Sequence, residues 1–221
     1  MIGDKLLIEP FHTDRARDIS NYVLRRYSSE DSGERIVISV AGESGAGKSE
    51  LAHEVARMLI DKGIKTSVLQ QDDYFVFPPK TNHEMRKRNI EQVGPYEVKL
   101  DFLDCNLRSF KRDENPIYKP LVLFNEDRIT TEELDLSDTR VVVVEGTYTS
   151  LLRFVDIRVF IDRDYRATLE ARKRRGRDVI EPFLEDVLER EHRIISEHRE
   201  MADIVIPPGY ERIIICGGGG N

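Results

Sequence analysis

Apolar positions recur along the chain with two periods, and the switches between them sketch an architecture. Ala16, Ile19, Val23 and Tyr27 share one face at helical spacing, with Thr13 or Asp14 available as a cap. Ser28–Gly33 reads as a loop, so residues 1–34 form an N-terminal helical extension. Arg35–Ala41 is rich in β-branched residues and predicts a buried strand. Leu51, Ala52, Val55, Ala56 and Leu59 predict the helix after it, and Gly63 is placed for a left-handed stop. Ile64–Gln70 predicts a second strand, and Leu103, Leu107 and Phe110 a helix over about 101–112. Pro116–Pro120 reads as irregular, or an edge strand at most, because proline donates no ladder hydrogen bond.

Arg140–Glu145 carries four consecutive valines and predicts a strand buried on both faces. Ile157–Asp162 and Ala202–Ile206 predict two more. Residues 181–201 predict a long helix with Leu184, Val187, Leu188, Ile195 and His198 on its apolar side. Arg212–Cys216 can add an edge strand, and 217–221 reads as a flexible tail. Strands alternating with helices imply an α/β three-layer sandwich around a five-stranded, mainly parallel sheet, with its ligand at the carboxyl ends of the strands. The main domain then spans 35–216, with an insertion over about 76–130.

Composition narrows the function classes. A formal net charge of −7 argues against general nucleic-acid binding. The aliphatic runs Val141–Val144 and Ile213–Ile215 are too short to cross a membrane, and no secretory pattern opens the chain, so a cytoplasmic location is expected. Cys105 and Cys216 form no C-x-x-C pair, and a buried structural thiol is the expected role of Cys105.

Gly42-Glu43-Ser44-Gly45-Ala46-Gly47-Lys48-Ser49 changes the picture, because it satisfies G-x-x-x-x-G-K-[ST] between a strand and a helix. Its glycines let backbone N–H groups converge on phosphate oxygens, and the helix start adds its positive dipole end. Lys48 is expected to reach the β- and γ-phosphates, and the Ser49 hydroxyl to ligate Mg²⁺. Asp72 and Asp73 follow the second strand, where a carboxylate can help hold the metal and accept a hydroxyl proton; an Asp-Asp turn at a strand end is the plain alternative. Glu145 ends the four-valine strand, a second position for the metal or simply a solvated strand end.

Arg172-Lys-Arg174-Arg175-Gly-Arg177 is either a solvated basic face or an anion clamp, and the acidic balance of the remaining chain favours the clamp. His83, beside Arg86, Lys87 and Arg88, can belong to a site for an anionic substrate or to an exposed helix face. His53 reads as solvated, and His192 and His198 lie too far apart along a helix to share a metal.

The order of these blocks resembles the uridine kinase/phosphoribulokinase family: the P-loop, Gln71-Asp72-Asp73-Tyr74-Phe75, Pro116-x-Tyr118, Val144-Glu145-Gly146, Phe160-Ile-Asp162, Arg174-Arg-Gly-Arg177-Asp178 and Ala202-Asp-Ile204. The resemblance implies a P-loop kinase with the nucleoside-monophosphate-kinase type of fold and a small arginine-rich lid over about 163–180. It implies ATP and Mg²⁺ as cofactors, Asp72 as general base, Glu145 as a metal position, and Arg172, Arg174 and Arg177 as lid arginines. It implies a hydroxyl acceptor among small metabolites such as nucleosides, sugars or sugar phosphates, with a homo-oligomer as a family habit. Asp73, Tyr74, His83, Arg86, Glu97 and Tyr118 are the candidate acceptor contacts. The chain departs from pyrimidine nucleoside kinases at Pro95-Tyr-Glu-Val-Lys99, where Glu97 or Asp101 can replace a missing sugar-holding aspartate. It departs again at Lys119–Phe124, which lacks the histidine that reads the base. The competing readings are a nucleotide switch, which as a GTPase would require an absent N-K-x-D motif, and a regulator that binds nucleotide without transfer.

Overall fold

The computed structural model describes residues 6–27, 34–168 and 182–216. The chain opens with α1 (Pro10–Tyr27), then β1 (Ile36–Gly42), α2 (Lys48–Ile60) and β2 (Thr66–Gln70). After a turn of 3₁₀ helix at Gln71–Tyr74 come α3 (Pro79–Arg88) and α4 (Leu100–Lys111). A hairpin of β3 (Ile117–Leu123) and β4 (Arg128–Leu134) is followed by β5 (Val141–Glu145) and β6 (Ile157–Ile161). Then come α5 (Pro182–Ile195), a 3₁₀ segment at Ser196–Met201, β7 (Ile204–Ile206) and β8 (Ile214–Ile215).

The main sheet runs β2-β5-β1-β6-β7-β8, five parallel strands and one antiparallel edge. Six strands replace the expected five because Ile214 and Ile215 pair with Val205 and Ile204, which makes the anticipated edge strand real. Side-chain alternation explains why the strands read as continuous apolar runs. Ile36, Ile38, Val40, Val141, Val143, Ile157 and Val159 enter the core on the side of α1 and α2. Val37, Ala41, Val142, Val144 and Phe160 enter the opposite core, with Leu103, Leu107 and Phe110 of α4 and Ile195 of α5. Helices cover both faces, so each valine of β5 contributes about 1.5–3 kcal/mol by burial whichever way it points.

Local signals behave as their chemistry requires. Gly63 takes φ 82° after α2, and the Ile64 and Gly63 N–H groups bond to Leu59 and Ile60 carbonyls, closing the helix with a Schellman motif. Of two open expectations, one is met in its second form and one fails. Pro116–Pro120 takes the edge-strand form rather than the irregular one, for Ile117–Leu123 pairs in full register with Arg128–Leu134 in a two-stranded sheet. A two-stranded ribbon tolerates Pro120 because alternate N–H groups point away from the partner strand. Cys105 is exposed rather than a buried thiol, because α4 turns Leu103, Leu107 and Phe110 inward and Cys105 outward. Residues 169–180 of the expected lid, with Arg172, Arg174, Arg175 and Arg177, lie outside the described residues, as does the tail 217–221. No helix among the described residues is long and apolar enough to cross a membrane.

Candidate active site

Parallel register brings the predicted site together. Val40 of β1 and Gln70 of β2 both stand opposite Glu145 of β5, so all three strands deliver their next residues to one edge. The P-loop leaves β1 there, the 3₁₀ turn carrying Asp72 leaves β2, and Glu145 ends the strand between them. Gly146 permits the final approach. It holds φ 155°, and a Cβ there would stand 2.8 Å from Gln71 Cδ. Instead Gln71 Oε1 accepts the Tyr148 N–H at 2.7 Å, pinning the Asp72 turn against the segment after Glu145.

Inside this edge, Ser49 Oγ donates to Glu145 Oε1 at 3.1 Å. Lys48 Nζ bonds to the Glu43 carbonyl at 2.9 Å, curling over the loop. Burial raises the Glu145 pKa above the usual carboxylate range and the nearby Asp72 charge raises it further, while Lys48 and Ser49 only partly offset them. A pair of carboxylates that repel each other in a buried corner, beside a hydroxyl and a helix N-terminus, suits a hard divalent cation with phosphate ligands. The donor set therefore fits Mg²⁺. No group of three or more His, Cys, Asp and Glu side chains suited to a metal occurs among the described residues.

Glu43 takes a place that its motif position did not forecast. Its carboxylate accepts the Tyr165 N–H at 2.7 Å and meets His192 Nδ1 of α5 at 2.6 Å. Burial raises its pKa despite the lowering contributions of His192 and Tyr165. Thr168 adds a hydrogen bond to the Ser44 carbonyl at 3.1 Å. The P-loop is thus tied to Tyr165 and Thr168, at the described start of the expected lid, and to His192 of α5 beyond it. No local pattern could reveal this, because Glu43 and His192 are 149 residues apart.

The candidate acceptor contacts separate. Asp73 is buried, paired with Lys119 Nζ at 2.8 Å and accepting the Val122 N–H at 3.0 Å, so it anchors the β3–β4 hairpin. It also lines a cavity of about 330 Å³ with Ser49, Gln70, Lys119 and Glu132. Tyr74 is wholly buried in the core, its hydroxyl accepting from Asn106 at 2.9 Å. Glu97 is buried and receives Arg86 Nε and Nη2, Asn82 Nδ2 and the Gly94 N–H. Arg86 also reaches Glu191 at 3.3 Å. Burial opposes the Arg86 charge, but the Glu97 hydrogen bonds and both carboxylate charges outweigh it and raise its pKa. His83 packs edge-on against Phe183 at 6.0 Å. Tyr118 is exposed, and Asp101 faces outward toward Arg153.

Residues 37–210 match the model of the phosphoribulokinase/uridine kinase family. The chain is 28% identical over 197 residues to the bifunctional alpha-galactosidase/sucrose kinase of Mediterraneibacter gnavus, covering 83% of this chain but 21% of that protein. It is 27% identical over 192 residues to the uridine kinase of Leuconostoc citreum, covering 81% of this chain and 90% of that one. The solved phosphoribulokinase of Rhodobacter spheroides superposes with a TM-score of 0.63 at 16% identity, over 80% of this chain and 71% of the other.

Proposed function

The chain belongs to the phosphoribulokinase/uridine kinase family, and on that premise we propose that it transfers the γ-phosphoryl group of ATP to a hydroxyl of a sugar- or nucleoside-like metabolite. The observation that carries the reading is the register that sets Ser49, Asp72 and Glu145 at one sheet edge beside the P-loop.

Backbone N–H groups of Gly45–Ser49 bind the phosphates, and Lys48 swings from the Glu43 carbonyl toward the β- and γ-phosphate oxygens. Ser49, Glu145 and Asp72 are the residues that would hold Mg²⁺, which when bound supplies charge neutralisation on the phosphates. Asp72 accepts the acceptor's hydroxyl proton as the oxygen forms its bond to the γ-phosphorus, and the bond from that phosphorus to the bridging β,γ-oxygen breaks to release ADP. Arg172, Arg174 and Arg177 close on the transferring group, with Glu43–Tyr165 and Ser44–Thr168 tying the start of the closing segment to the P-loop. The partner is a small molecule. Among the described residues, Arg86 is committed to Glu97 and Glu191, which supports a neutral acceptor ahead of one already carrying phosphate.

ADP release should be measured against a panel of sugars, nucleosides and sugar phosphates, beside Asp72→Asn. One acceptor should stimulate release, and the variant should lose about 10²–10⁴-fold in turnover while retaining ATP binding. Normal turnover in Asp72→Asn would remove Asp72 from this chemistry.

A further inference from the structure

The P-loop is braced from behind by side chains that belong to no phosphate-binding motif. The Tyr210 hydroxyl donates to the Ala46 carbonyl, and the residue is 6% exposed. Gly47 holds φ 99°, and a Cβ there would stand 2.6 Å from His12 Nε2 and closer still to the Tyr210 hydroxyl. Both side chains therefore press on the peptide that opens α2.

Each brace is itself held. Tyr210 adopts φ 58°, a left-handed conformation that costs a residue with a Cβ about 1–2 kcal/mol and persists only where the surroundings impose it. His12 is buried, and its Nδ1 accepts the Glu9 N–H at 3.0 Å. In the neutral ring the proton then sits on Nε2, the nitrogen that faces the loop. Phe11 and Tyr210 pack with ring centres 4.6 Å apart, and His12 meets Tyr210 edge-on at 5.3 Å. Around them the Leu7 N–H bonds to Glu50, the Thr13 hydroxyl to Glu54, and Arg15 to the Glu211 carbonyl. Residues 7–15 precede the span 37–210 that matches the family, and Tyr210 is its last residue.

We propose that His12 and Tyr210 are positioning residues for nucleotide binding, holding the Ala46–Gly47 peptide so that the loop N–H groups converge on the β-phosphate. Neither touches the nucleotide. The inference rests on the reading of this loop as the ATP site.

The test is calorimetric titration of Mg-ADP and of AMP into the unmutated protein, Tyr210→Phe, His12→Gln and His12→Asn. Gln sets its terminal group near the place of Nε2, so it still fills the space beside Gly47. Asn sets its polar group near the place of Nδ1, so it keeps the Glu9 contact and leaves that space empty. Loss of the Tyr210 hydrogen bond corresponds to about fivefold in affinity. Tyr210→Phe should weaken Mg-ADP about fivefold, His12→Asn should weaken it as well, His12→Gln should bind like the unmutated protein, and AMP, which has no β-phosphate, should be unaffected throughout. Equal Mg-ADP affinity in all four proteins would overturn the proposal. So would rescue by Asn instead of Gln, or parallel losses for AMP and Mg-ADP, which would mark a purely structural role. If the unmutated protein failed to bind Mg-ADP, the kinase reading would fall with it.

Discussion

The buried Arg86–Glu97 pair offers the sharpest test of how the insertion is held. Glu97 is 6% exposed, and its two oxygens receive four hydrogen bonds: Arg86 Nε at 2.5 Å, Arg86 Nη2 at 2.8 Å, Asn82 Nδ2 at 3.0 Å and the Gly94 N–H at 3.1 Å. Glu97→Gln keeps the shape but withdraws the charge. Arg86 would then face Glu191 alone, across 3.3 Å, in a setting that already opposes its charge. Breaking a buried ion pair by removing one partner costs about 3–5 kcal/mol. With roughly 2–4 °C per kcal/mol for a domain of this size, the thermal midpoint should fall by about 10 °C. Urea denaturation of Glu97→Gln, Arg86→Met and the double variant closes a double-mutant cycle. A coupling energy of about 2 kcal/mol or more is expected, because each single variant strands a charge that the double variant does not. Strict additivity, or a loss below about 1 kcal/mol in Glu97→Gln, would refute the reasoning and leave Glu97 free for the acceptor.

Three further outcomes follow from the same geometry. Gly146→Ala should cost about 1–3 kcal/mol, because it adds left-handed strain and a clash with Gln71, and should lower turnover by displacing the adjoining Asp72; urea denaturation and steady-state kinetics check both. Lys119→Met should cost about 3–5 kcal/mol by stranding Asp73, and should speed limited proteolysis in the β3–β4 hairpin, which Asp73 no longer grips as tightly. Burial depresses the pKa of His198, whose Nδ1 lies 2.8 Å from Ser150 Oγ. A histidine lowered in the folded state contributes stability that is complete above the unfolded value of 6.5 and is lost as pH falls through the folded value. Denaturation between about pH 5 and 7.5 should therefore show stability decreasing as pH is lowered, and His198→Gln should flatten that slope; an unchanged slope would clear the residue.

What could be read in advance depended on how far each signal reached along the chain. The glycine spacing of Gly42–Ser49, the apolar alternation of β1 and β5, and Gly63 at the end of α2 act among close neighbours, so the sequence alone determined the P-loop and the strands and helices around it. The place of Glu145 at the end of β5 was legible because four valines run directly into it, whereas its burial, which replaces a solvated strand end, was not. Pro120 left an irregular segment and an edge strand both open, since its missing N–H forbids only a central strand, and pairing with β4 decided for the edge strand. Asp73, Tyr74 and Glu97 looked like acceptor contacts by position, yet their side chains are buried among Lys119, Asn106 and Arg86, partners supplied by other elements of the fold. The same holds for Glu43 with His192, and for His12 and Tyr210 behind Gly47. A local pattern states what a residue can do. Which partner satisfies it is decided only when distant segments are packed together, because a buried charge or polar atom takes whatever the tertiary structure brings within hydrogen-bonding reach.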